Sequence, residues 1–91
     1  VRKHHNLKIH PDFFNAVESG AKTFELRKND RDFAVHDTLE LREWNPRSDG
    51  YTGRVIKGLH ITYVLQGGDL NSIGGIGISP GWAILGIKRD K

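Results

Sequence analysis

The residues able to do chemistry are concentrated in one run, Lys22-Thr23-Phe24-Glu25-Leu26-Arg27-Lys28-Asn29-Asp30-Arg31. In an extended strand successive side chains point to opposite faces. Glu25 and Arg27 therefore share a face, with Lys22 at the strand's entry and Phe24 and Leu26 on the other side. A carboxylate flanked by two cations suits a polar, planar ligand. The acid can accept from the amino or imino group of a base, and the guanidinium can donate a two-pronged fork to phosphate or to a base edge. A plainer reading stands beside it: an exposed strand face whose ion pairs are worth about 0–1 kcal/mol. The lone acid sits among four cations, Lys22, Arg27, Lys28 and Arg31, where a purely electrostatic groove has no use for it.

Other chemistries find less support. His4, His5, His10, His36 and His60 have no spacing that puts two on one helical face, and His4 and His10 share strand parity but lie too far apart to chelate one ion. No metal site and no cofactor are expected. Without cysteine there is no disulfide, thiolate ligand or cysteine nucleophile. Gly74-Gly75-Ile76-Gly77 is not a nucleotide-binding fingerprint, because Pro80 and a strand follow it where a helix should open. The formal charge of +3 and a pI near 9.5 draw polyanions, modestly. Apolar stretches are far shorter than the roughly 18 residues of a membrane-spanning helix. No apolar run follows the basic start Val1-Arg2-Lys3-His4-His5, so nothing there reads as a signal peptide. The chain reads as cytoplasmic and monomeric, with no membrane partner.

The elements that must position the polar run form one domain over residues 1–91, a usual size for a single core. Alternation from His5 to His10 predicts a strand with Leu7 and Ile9 on one side. Pro11, Asp12 and the stop at Gly20 frame a helix, Pro11–Ser19, with Phe13, Phe14 and Val17 as its core face. Further strands are expected at Thr23–Lys28, at Thr38–Trp44 with Leu39 and Leu41 inward, and at Arg54–Leu65. In the last of these Val55, Leu59, Ile61, Tyr63 and Leu65 share a parity. A fifth strand, Trp82–Lys88, places Ala83, Leu85 and Ile87 inward. Asn45–Gly50 reads as a hairpin loop, and Gly58 as a bulge or bend. Gln66–Gly81, with six of the eleven glycines, reads as a mobile loop over the barrel mouth. The fold class is α+β, mostly β: a small pseudo-barrel of five or six strands with one helix between the first two. An open sheet covered by the helix is the alternative.

The run Gly20-Ala21-Lys22-Thr23-Phe24-Glu25-Leu26-Arg27 resembles the G-x-K-x-x-E-x-R signature of ASCH domains, a branch of the PUA-like superfamily. His5-x-Leu7-Lys8, Asn29-Asp30-Arg31-x-Phe33 and Tyr51-Thr52-Gly53-Arg54 resemble a short bacterial and phage ASCH-related family of uncharacterised function. One departure is His36-Asp37, where such domains usually carry Gly-Asp at a turn. The resemblance implies a PUA-like barrel with a cleft beside the helix, in a superfamily whose members bind RNA, some by taking up single or modified bases extruded from a strand. Carried over by position, Lys22, Glu25 and Arg27 form the primary site, with Asn29, Asp30 and Arg31 at its rim. Arg54 and Thr52 are weaker candidates, and His5 has the parity to reach the cleft or to pack in the core. The partner is then RNA, another single-stranded nucleic acid, or a nucleoside. An enzymatic alternative follows from an ASCH relative that removes an acyl group from a modified cytidine with a lysine, a threonine and a glutamate. Lys22 matches the lysine, and Lys22 with Glu25 would carry any catalysis by acid–base work. The threonine position, however, holds Glu25, and the later acid has no clear counterpart: Val55–Leu65 has none and the loop beyond offers only Asp69.

Overall fold

The computed structural model describes residues 2–68 and 78–90. Most of the expected loop over the barrel mouth, including the Gly74–Gly77 run, lies outside the described residues. The chain order is β1 (His4–Ile9), α1 (Pro11–Glu18), β2 (Phe24–Lys28), β3 (Thr38–Asn45), β4 (Gly50–Gln66) and β5 (Trp82–Arg89). The five strands form one curled sheet in the order β1-β3-β4-β5-β2, with β1 parallel to β3 and the other pairs antiparallel. Among the described residues the fold is thus mostly β with a single helix, which lies between the first two strands, as the alternation patterns imply. Among the described residues no helix is long and apolar enough to cross a membrane.

The sheet curls because β4 carries extra residues. Leu39 pairs with Leu59 but Leu41 pairs with Ile56, so β4 spends one residue more than β3 at this point. Gly58 sits in that bulge at φ +74°, a left-handed conformation that costs other residues strain. A second bulge falls at Thr62, since Ile61 and Tyr63 face the adjacent residues Ile87 and Gly86. Each bulge resets the alternation. The residues of β4 that reach the core are therefore Ile56, Leu59 and Ile61, while Val55 and Tyr63 are exposed. Single parity along the whole strand does not hold.

Leu7 and Ile9 of β1, Leu39 and Leu41 of β3, and Ala83, Leu85 and Ile87 of β5 complete the core on the concave face, where α1 packs. Pro11 opens the helix after His10, whose carbonyl accepts the first helical bond from Phe14 N at 2.8 Å. Gly20, at φ +85°, closes it with a bond to Val17 O, and Lys22 N donates to Ala16 O. That last bond fixes the entry to β2 against the helix end. The expected core face of α1 needs one correction. Phe14 and Val17 are buried, but Phe13 is 53% exposed. With only two turns, the helix can turn one narrow stripe to the sheet, and Phe13 lies about 100° round from Phe14. It flanks the space between the helix and β2 instead.

Candidate functional site

β2 turns its polar side inward. Glu25 stands opposite the fully buried Leu85 of β5 and shares its face, so its side chain enters the concave side of the sheet. Phe24 and Leu26, on the other parity, are half exposed. Glu25 is only 3% exposed, which excludes the reading of an ordinary solvated strand face. Its carboxylate is held from both sides. Lys22 Nζ donates to Oε1, while Arg27 reaches Oε2 through Nε at 2.9 Å and Nη2 at 2.7 Å. Arg27 Nη2 also donates to the Lys8 carbonyl of β1 at 2.6 Å. The Lys22 ammonium lies between two rings, 5.3 Å from the centroid of Phe13 and 5.1 Å from that of Phe24.

These side chains meet in a groove of about 700 Å³ between the end of β1, the start of α1 and β2. Glu25 marks its buried end, and Phe13, Phe24 and Trp82 supply apolar walls. Trp82 is there because β5 runs antiparallel to β2 and sets it opposite Lys28. The arrangement offers a carboxylate acceptor and two partly open cationic donors between aromatic surfaces.

The remaining expected site residues divide. Asn29 ties its own loop, accepting from Phe33 N at 3.0 Å and donating its backbone N–H to Gly81 O at 2.7 Å. Asp30 is exposed beside it. Arg31 Nη1 donates to the Asn6 carbonyl at 3.0 Å, so Arg27 and Arg31 together bridge β2 and its loop to the free edge of β1. Arg54 does not line the groove. It stacks on Phe14, 4.3 Å from guanidinium carbon to ring centroid, and bonds Glu43 and Asn15, each at 3.3 Å. Thr52 Oγ1 donates to the same Glu43 carboxylate at 2.6 Å.

His5 is a core residue. Its ring packs edge-on against Phe33 at 4.7 Å, and its Nε2 lies 2.9 Å from Asp37 Oδ2. An ionised carboxylate only accepts, so the Nε2 facing it carries hydrogen. Asp37 also accepts from Lys3 N and Ala34 N, each at 3.0 Å. Burial pushes its carboxyl up, but the bonds from His5 and the two amides outweigh that and hold its pKa below the ordinary value. Asp37 and Glu43 escape the sequence reading. Glu43 had a visible signal, since it shares the inward parity of Leu39 and Leu41 in β3. Asp37 sits in a turn, where nothing local distinguishes a buried acid. Among the described residues no cluster of three or more His, Asp or Glu could hold a metal ion.

The chain belongs to the family described as a domain of unknown function, DUF3850, whose model matches residues 4–87 and so takes in β1 to β4, most of β5 and the whole groove. It is similar to an uncharacterized 12.9 kDa protein in the GpA 3′ region of Escherichia phage P2, with 40% identity over 57 residues. That alignment covers 63% of this chain and 50% of the phage protein, so the chain spans about half the length of this curated relative.

Proposed function

We propose that this domain binds single-stranded nucleic acid, RNA foremost, or a modified nucleoside, by taking one base into the groove beside α1. The observation that carries this reading is Glu25, a buried carboxylate clamped by Lys22 and Arg27 at the inner end of an aromatic-walled groove. Burying a charge is costly unless it is paired and hydrogen-bonded, and Lys22 and Arg27 supply both for Glu25. Oε2 already meets both Arg27 nitrogens, but Oε1 accepts only from Lys22 and keeps capacity for the amino or imino hydrogen of a base. Phe13, Phe24 and Trp82 present π faces that any base can stack on, worth about 1–3 kcal/mol per base. A duplex cannot deliver a base to such a site, whereas a single strand or a flipped nucleotide can. The resemblance to ASCH domains of the PUA-like superfamily favours the same reading, because the three signature residues Lys22, Glu25 and Arg27 are the ones that meet.

The amidohydrolase alternative lacks its hydroxyl here: Glu25 occupies the threonine position, and Thr52 is committed to Glu43 beside Arg54. Titration of ¹⁵N-labelled protein with cytidine and with an N4-acylated cytidine separates the two. Binding alone shifts the amides of β2 and the start of α1 and the Trp82 indole, and both nucleosides are recovered intact. Deacylation that disappears in Lys22→Ala would transfer the site to the hydrolase reading. Silence toward nucleosides and single-stranded oligonucleotides alike would remove the groove as a base-binding site.

A further inference from the structure

A second aromatic pair lies near the groove, on the outer face of the sheet. Trp44 of β3 and Tyr51 of β4 are cross-strand partners, packed edge to face with centroids 4.9 Å apart and planes at 86°. Such a pair stabilises a hairpin, but that role does not require Tyr51 to remain 55% exposed. Lys8 connects the pair to the groove. It lines the groove, and its ammonium lies 4.0 Å from the Trp44 ring centroid and 5.9 Å from that of Tyr51. Among the described residues no carboxylate lies within ion-pairing distance of Lys8, whereas Arg42, its register partner on β3, is neutralised by Glu40 at 2.7 Å. Crossing from the groove to Trp44 means crossing one edge strand, a spacing of about 4.8 Å.

We propose that Lys8, Trp44 and Tyr51 form a second subsite for the same single strand. Lys8 neutralises the phosphate that leaves the groove, and the next base stacks on the aromatic pair. The lysine's flexible stem lets the ammonium swing from ring to phosphate, and an aromatic platform beside a cation is how single strands are held without regard to sequence. The inference rests on the groove reading and narrows it: the full ligand is an oligonucleotide, of which a free nucleoside fills only the groove.

The chain's two tryptophans stand one in each subsite, which gives each its own reporter. Trp82→Phe leaves Trp44 as the only indole, and Trp44→Phe leaves Trp82. Each variant is titrated with cytidine and with a single-stranded cytidine hexanucleotide. Trp82 fluorescence should respond to both ligands and Trp44 only to the hexanucleotide. Tyr51→Ala should lower hexanucleotide affinity roughly tenfold, the worth of one stacked base, and leave cytidine binding unchanged. A hexanucleotide that perturbs Trp82 but leaves Trp44 silent would overturn the second subsite while sparing the groove. Trp44 silence together with self-association in sedimentation would assign the patch to contact between copies and equally overturn it. If Trp82 responds to neither ligand, the groove reading itself falls and takes this inference with it.

Discussion

Asp37 and His36 sit side by side in one turn and act on stability in opposite ways. Asp37 accepts three hydrogen bonds while almost fully buried, and its folded pKa lies below the ordinary aspartate value of about 3.9 that it has in an unfolded chain. Its contribution is therefore fully present above about pH 4 and drains away as the pH falls through the lower folded value. Asp37→Asn should be less stable than the parent at neutral pH by about 1–3 kcal/mol, since an amide turns a donor toward at least one of three donors. The gap, read from urea midpoints, should narrow as the pH drops below about 4. A gap that stays constant into strong acid would place the cost in packing and not in charge. His36 is exposed at φ +79°, a left-handed conformation that favours glycine. Its strain of roughly 1–2 kcal/mol outweighs the roughly 0.5–1 kcal/mol of extra chain entropy that glycine loses on folding. His36→Gly should thus stabilise the domain by about 0.5–1 kcal/mol in the same assay, and a neutral or negative result would show the turn to be unstrained.

At the scale of elements, the bulges of β4 decide both curl and core. Gly58 adopts φ +74° with open space where a Cβ would stand, so Gly58→Ala tests the backbone and not sterics. Strain of roughly 1–2 kcal/mol, partly offset by a stiffer unfolded chain, should leave a net loss of about 1 kcal/mol in a urea titration. A neutral result would mean that the bulge relaxes. These bulges also mark where the sequence stops being legible. Alternation correctly places Leu39, Leu41, Ala83, Leu85 and Ile87 inward, and the Asn45–Gly50 turn and the helix ends follow from local residue chemistry. The parity of β4 fails because bulges at Gly58 and Thr62 reset it, and only the first has a glycine to signal it. Alternation along β2 separates Glu25 from Phe24 without saying which of them faces the core. The strand order β1-β3-β4-β5-β2 depends on pairings between residues far apart in sequence. For that reason the convergence of Lys22, Glu25 and Arg27 was readable locally, while Trp82 and Lys8 joining them, and Arg54 moving to the far flank of α1, were not.

At the scale of the molecule, the proposed binding of single strands has two components, charge and base recognition, that substitutions can separate. The net charge is only +3, and the cations near the groove are not equivalent. Arg27 is engaged by Glu25 and the Lys8 carbonyl, and Arg31 by the Asn6 carbonyl, so these guanidiniums bridge the two free edges of the sheet. Lys28 is exposed next to them on β2, and among the described residues no carboxylate pairs with it. Lys28→Ala should weaken binding to all single strands alike and flatten the slope of log affinity against log salt by about 0.7, one phosphate contact's share. Arg31→Ala should not behave so simply, because it also releases the edge of β1. Glu25→Gln probes the other component. A carboxylate does not pair with phosphate, so the salt slope should stay where it was while discrimination between homopolymers drops by about 1–3 kcal/mol, the worth of a good base-edge contact. The competing account is that Glu25 only neutralises Lys22 and Arg27. Removing its charge would then free two cations in the groove, raise affinity for every polyanion and steepen the slope, with base preference unchanged. Fluorescence anisotropy with the four homopolymers over a salt series distinguishes the two outcomes, since the first changes the order of affinities at constant slope and the second changes the slope at constant order.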